Sequence, residues 1–244
     1  MSAPIALVVG AGDYIGAAIA KRFARGGFTV CMGRRRGELL DPLVAEIEAE
    51  GGRAVGYAMD ARDEDSVAET FRRVETEVGP IEIVIFNVGG NVKFDILETT
   101  TRVYRKVWEM CSLAAFLNGR EAARYMTERG RGSIFFTGAS SSLRGRSGFA
   151  AFAAGKAGMR AMAQSMAKEL GPKNIHVAHL VIDSPVDTAS VRERIAAAGM
   201  DVDAMPPDRL MQPTSVAEAY WQLHHQTRDA WSFEVDLRPY CESW

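Results

Sequence analysis

Short runs of apolar and β-branched residues alternate along the chain with longer segments whose apolar positions recur every three or four residues. The short runs, "IALVV", "FTVCM", "RAVGYAM", "IEIVIF", "GSIFFTG", "IHVAHLVI" and "WSFEVDL", predict strands. The longer segments predict helices: one ending at Gly26, then Leu39 to Glu50, Ser66 to Val78, about Arg102 to Thr127, and "FAAFAAGKAGMRAMAQSMAKELG". Strands that are apolar throughout must be covered on both faces. Their regular alternation with helices predicts a doubly wound, Rossmann-type α/β fold with a parallel sheet of about seven strands. No repeat or low-complexity tract divides residues 1–244, which read as a single domain. The irregular, proline-rich stretch "MDVDAMPPDRLMQP" closes a segment, 184–213, expected to form a loop or lid over a site.

Composition narrows the class. With 47% hydrophobic and 25% charged residues among 244, the chain reads as an ordinary soluble protein. No window approaches the ~18 apolar residues of a membrane span, so no membrane partner is expected. The start, "MSAPIALVVG", has no basic segment and runs straight into a strand, which is unlike a signal peptide. Cys31, Cys111 and Cys241 are odd in number and widely spaced; this predicts reduced thiols, a cytoplasmic location and no metal site. A net charge of -2 argues against a nucleic-acid partner, although Arg34, Arg35 and Arg36 make a local basic cluster.

The turn "VVGAGDYIGAAIA" places Gly10, Gly12 and Gly16 between the first strand and the first helix. A backbone that must turn sharply and lie against a pyrophosphate at a helix N-terminus needs glycine there. An acidic residue that would hold an adenosine ribose hydroxyl is due about 20 residues later. Gly33-Arg34-Arg35 stands there instead, and arginine pairs with a 2′-phosphate, so NADP(H) is expected in preference to NAD(H). Arg36 reads as a solvated turn residue.

The glycine turn, the strand-end "AMDARD", the "NVG" after the fourth strand and the "FAAGK" of the long helix together carry a likeness. In them the chain resembles the short-chain dehydrogenase/reductases over essentially its whole length. The resemblance implies that the cofactor is held by Gly10, Gly12, Asp13, Tyr14, Ile15 and Gly16, where Tyr14 stands at the family's middle glycine. It also implies contacts from Arg34, Arg35, Asp60, Ala61, Asn87, Val88, Gly89, Lys156 and Thr188. The family's Tyr-x-x-x-Lys motif falls on Phe152 and Lys156, and the tyrosine is absent. The family's serine, 13 residues earlier, falls on Ala139, with Ser140, Ser141 and Ser142 immediately after. Its asparagine on the central helix falls on Cys111. The pattern resembles a subgroup in which phenylalanine replaces the tyrosine while the lysine stays.

Phenylalanine has no proton to give, so the family's ordinary mechanism does not operate here. Lys156 keeps a second task, a hydrogen bond to the nicotinamide ribose. The function expected is that of an NADP(H)-dependent oxidoreductase on a small carbonyl, alcohol or activated double bond. Its proton comes from Ser140 or, more weakly, Cys111, His179 or water. The alternatives are a dehydratase, isomerase or lyase on the same scaffold, or a binding protein without chemistry. His224 and His225 read as packing residues, and His179, inside an apolar strand, as a core histidine. Trp108, Met110 and Phe116 read as core or interface. The resemblance and the aromatic C-terminal "LRPYCESW" imply a homodimer or homotetramer.

Overall fold

The computed structural model describes residues 3–242. Seven parallel strands, β1 (Ile5–Val9), β2 (Thr29–Arg34), β3 (Arg53–Ala58), β4 (Ile81–Phe86), β5 (Gly132–Thr137), β6 (Ile175–Ile182) and β7 (Glu234–Leu237), form one sheet. Their order is β3-β2-β1-β4-β5-β6-β7, so the chain winds outward from β1 to one edge, returns to β4, and winds outward to the other. The strand order therefore reverses between β1 and β4, and a crevice opens there at the carboxyl ends of the strands.

Side chains alternate across each strand and fill two layers. On one face Ala6, Val8, Ile83, Ile85 and Phe135 meet Ile19 and Phe23 of α1 (Ile15–Arg25) and Val216 and Tyr220 of α8 (Pro213–His224). Ile47 of α2 (Asp41–Ala49) completes that layer. On the other face Leu7, Val84, Phe86, Ile134 and Phe136 meet Phe71 of α3 (Glu64–Arg73), Met126 of α5 (Ala114–Arg129) and Met159 of α6 (Ala150–Leu170). Each such side chain contributes about 1.5–3 kcal/mol by leaving water, so these two layers determine the fold.

Three elements differ from the sequence pattern. The edge strand β3 is not buried throughout: only Ala54 and Tyr57 are covered, one on each face, because the helix layers thin out at the edge of the sheet. The central helix is interrupted. After α4 (Thr101–Trp108) the backbone widens through Glu109–Leu113 into a π turn before α5 begins. There α6 comes so close that a Cβ on Gly155 would stand 2.8 Å from the Cys111 Cβ, and Ser112 Oγ donates to the Gly155 carbonyl at 2.7 Å. Segment 184–213 is not all loop: it contains a further helix, α7 (Ala189–Ala197), capped by the Thr188 hydroxyl, which accepts from Val191 N at 3.2 Å.

Histidines pack into the half of the sheet beyond β5. His179 and His176 are buried in β6, and His224 of α8 meets the Ser133 hydroxyl at 3.0 Å. Burial pushes the imidazole pKa of both His179 and His224 down to about 4, with Glu234 opposing the shift at His179. Between the ordinary value of 6.5 and about 4 the unfolded chain therefore binds protons that the folded one refuses. Stability should fall as pH drops through that window, by about 1.4 kcal/mol per pH unit for each histidine. Urea unfolding at stepped pH measures this, and a His224→Gln variant should lose its share of the slope.

Candidate functional site

The turn after β1 is shaped by contacts that admit no side chain. Gly10 has φ +83°, and a Cβ there would lie 2.9 Å from the Asn87 carbonyl oxygen; one on Gly16 would lie 2.6 Å from Ala11 Cα. Gly12 is different. A Cβ at Gly12, or at Gly89 across the crevice, would meet no protein atom within 4 Å. Packing within the protein thus accounts for Gly10 and Gly16, while Gly12 and Gly89 keep bare backbone open to whatever fills the crevice.

That crevice has a volume of about 230 Å3. It brings together Gly10, Gly12, Arg34, Arg35, Asp60 and Ala61 with Asn87, Val88 and Gly89. Arg34 is already engaged, its Nη1 2.7 Å from Asp13 Oδ1. Asp13 and Arg34 also line an adjoining groove of about 490 Å3 with Lys21 and Arg36, so Arg36, although exposed, borders this region. Asp60 is held at both carboxylate oxygens by Arg62, at 3.0 and 2.7 Å, and this hydrogen-bonded guanidinium keeps its carboxyl below the usual range. The Ala61 carbonyl accepts from Asn118 Nδ2 at 3.0 Å.

Asn87 ties the floor together. Its Nδ2 donates to the Gly10 carbonyl at 3.1 Å, and its Oδ1 accepts from Thr137 Oγ1 at 3.1 Å. Thr137 Oγ1 lies 2.7 Å from the buried Tyr220 hydroxyl. Lys156 is also buried; its Nζ donates to the carbonyls of Thr137 at 2.7 Å and Val88 at 3.3 Å. Desolvation drives the Lys156 pKa down, opposed by Cys111, whose own thiol is pushed up by burial.

Phe152 stands one helical turn before Lys156, with Nζ 5.9 Å from its ring centroid. Phe152, Cys111 and Val107 form a small apolar cluster against which Ala139 packs. The three positions that the family resemblance makes polar thus touch one patch here, and that patch is greasy. Ser140 and Ser142, just beyond Ala139, have polar partners of their own. Ser140 hydrogen-bonds the carboxylate of Asp183, and Ser142 Oγ lies 3.2 Å from His179 Nε2 while accepting from Ala139 N at 3.2 Å. Asp183, only 4% exposed at the end of β6, is clamped by Arg144 at 2.9 and 3.0 Å and by Arg238 at 3.1 Å. Those partners hold its carboxyl below the usual range against the cost of burial.

Other expected residues lie outside the crevice wall. Tyr14 is exposed, and its hydroxyl accepts from Ala189 N at 3.0 Å, joining the glycine turn to the start of α7. Thr188 is occupied as the cap of α7, and Ile15 and Gly16 belong to the first turn of α1. Trp108 and Phe116 are 41% and 42% exposed, so within one chain they are not core. Met110, read from sequence as core or interface, lines the crevice instead, because the π turn faces it toward Gly90. Arg62 and Asp183 also escaped the sequence reading. The one available signal was a carboxylate closing an otherwise apolar strand, "IHVAHLVID". Among the described residues, no cluster of His, Cys, Asp or Glu could hold a metal ion, and no helix is long and apolar enough to cross a membrane.

This architecture has close parallels. A crystal structure of a short-chain dehydrogenase from Rhodopseudomonas palustris is 55% identical and superposes with a TM-score of 0.83, covering 97% of this chain and 99% of that one. The 2-dehydro-3-deoxy-D-gluconate 5-dehydrogenase of Formosa agariphila is 33% identical over 71% of this chain and 66% of its own length. The cis-4-hydroxycyclohexanecarboxylate dehydrogenase of Sinomonas cyclohexanicum is 31% identical over 95% of this chain and 92% of its own. Residues 4–199, which carry the glycine turn, the crevice and Lys156, match the short chain dehydrogenase family as a whole, and the chain belongs to that family.

Proposed function

We propose that the protein is an NADP(H)-dependent oxidoreductase acting on a small alcohol or carbonyl compound, with a proton donor other than the family's tyrosine. The observation that supports this most is the pair Gly12 and Gly89, bare backbone facing a crevice that the protein itself leaves free. The residues fit the cofactor. Backbone amides of the glycine turn and the N-terminus of α1 would meet the pyrophosphate. Arg34 and Arg35 would take the 2′-phosphate once Asp13 releases Arg34, and Asp60 and Ala61 would flank the adenine. An ammonium at Lys156 carries three donors, and two are used on carbonyls, which leaves one for a ribose hydroxyl.

Bound there, the cofactor supplies or accepts hydride. The chain positions the substrate and must move a proton without an acid at residue 152. The apolar cluster around Phe152 also favours a second reading, a pocket that does non-redox chemistry or only binds. Product formed with no change in nicotinamide absorbance would establish non-redox chemistry, and binding without turnover a binding role. Trp108 and Phe116 on α4 and α5, with Tyr104, form an exposed aromatic strip that assembly into a homodimer or homotetramer would cover. Trp244 lies outside the described residues. Light scattering at micromolar concentration should give a multiple of 26.6 kDa, and a monomer would refute assembly through this strip.

Fluorescence titration should find NADPH bound at least ~10-fold tighter than NADH, the worth of one charge-assisted contact. Arg34→Ala/Arg35→Ala should erase the difference while sparing NADH. Equal affinities in the unaltered protein would refute the preference. Lys156→Ala should weaken both cofactors.

The acid can also be put back. In Ala139→Ser/Phe152→Tyr, the new phenol lies one turn from Lys156, and reduction of generic diketones should rise by ~10² or more. A double variant that folds, binds NADPH and reduces nothing in a broad carbonyl panel would turn the balance to the non-redox reading.

A further inference from the structure

Beneath Ala139 a buried polar path runs from the turn after β5 to the edge of the sheet. Ser142, 4% exposed, has its Oγ 3.2 Å from Nε2 of the fully buried His179. Nδ1 of the same ring lies 2.9 Å from Glu234 Oε2 on β7. Glu234 is partly exposed and is gripped by Arg160 of α6, whose Nη2 is 2.8 Å from Oε1. The fit is close: a Cβ on Gly138 would stand 2.2 Å from His179 Nε2, so the backbone beside Ala139 is bare where the ring sits. Apolar strand residues surround the path, and a histidine there has a costly place unless both nitrogens are used.

We propose, building on the oxidoreductase reading, that Ser142, His179 and Glu234 form a proton relay that replaces the missing tyrosine. A Glu234 carboxylate fixes the ring proton on Nδ1, which leaves Nε2 as the acceptor for the Ser142 hydroxyl. In the oxidative direction the alcohol carbon gives up its hydrogen with the electron pair to the nicotinamide. The alcohol O–H proton passes, directly or over one water at Ala139, to Ser142 Oγ as Ser142's own proton moves to His179 Nε2. The imidazolium so formed is held by Glu234 until product leaves, and the proton then returns through Ser142 to water. Atoms and charge balance: the alcohol becomes a carbonyl, the oxidised cofactor is reduced, and one proton is released. The charged groups around the ring are Glu234 on β7 and Lys156 and Arg160 on α6. Both cations oppose protonation and the carboxylate favours it.

Two measurements test the relay. In the cofactor-free protein, nitrogen NMR of His179 should show a neutral ring protonated on Nδ1 at neutral pH, and Glu234→Gln should shift that tautomer balance. With NADP+ and cis-4-hydroxycyclohexanecarboxylate or 2-dehydro-3-deoxy-D-gluconate as probes, His179→Gln should lower kcat ~10²-fold or more. KM and NADPH affinity should stay within about twofold, since none of the three residues lines the cofactor crevice. Ser142→Ala should do the same, and serves if His179→Gln does not fold. His224→Gln, at a partly buried histidine–serine pair away from the relay, should leave kcat unchanged. A ring protonated on Nε2, or a folded His179→Gln with normal kcat, would overturn the relay and leave the oxidoreductase reading intact. An unaltered protein that binds NADPH but oxidises neither probe and reduces no carbonyl would remove both.

Discussion

The geometry of the site hangs on one side-chain amide. Asn87 sits where the strand order reverses, and a carboxamide is both donor and acceptor, so it can bond in two directions at once. Its donor end holds the glycine turn after β1, and its acceptor end holds Thr137 at the end of β5. Through the Thr137 carbonyl the same link reaches Lys156, and through the Thr137 hydroxyl it reaches Tyr220 on the opposite layer. An aspartate there could not donate and a leucine could do neither. Either change would remove at least one of the two bonds that tie these strand ends together, at about 0.5–1.5 kcal/mol each.

Lys156 shows how the fold tolerates a cation in an apolar place. Burial alone would favour the neutral amine, and no carboxylate neutralises the site among its described contacts. Two backbone carbonyls and the face of Phe152 supply partial negative charge instead, which softens the cost without removing it. Asp183 is handled in the opposite way: an equally hidden carboxylate is surrounded by full positive charges and a hydroxyl. The two groups lie at neighbouring strand ends and differ in how easily their protonation can change.

Much of the fold was legible because a buried parallel strand leaves an apolar run that little else produces. The strands from β1 to β6 and the long helix α6 could be read this way, as could the glycine turn, whose φ and close contacts require that residue. The π turn was not legible. Its sequence, "EMCSL", keeps helical composition, and only the approach of α6 at Gly155 gives it a reason. Met110, read from the sequence as core or interface, lines the crevice instead. Asp183, Arg144 and Arg238 look like unrelated loop and strand-end residues until the sheet brings them together, and nothing in their spacing announces it. The path from Ser142 to Glu234 was hidden for the same reason: its three members come from a turn, the strand next to the edge, and the edge strand itself.

The Asp13–Arg34 pair has a consequence for how the protein meets charged molecules in solution. Seen from beyond a Debye length of roughly 8–10 Å, a closed ion pair is a dipole, not a cation, and its field dies away faster than that of a lone charge. Arg35 at the crevice and Arg36 at the adjoining groove stand exposed and supply the long-range pull on an approaching anion. Arg34 enters only at contact, when one anion is exchanged for another. Added salt therefore screens the approach strongly and the exchange weakly, so ionic strength acts on the rate of arrival far more than on the rate of departure.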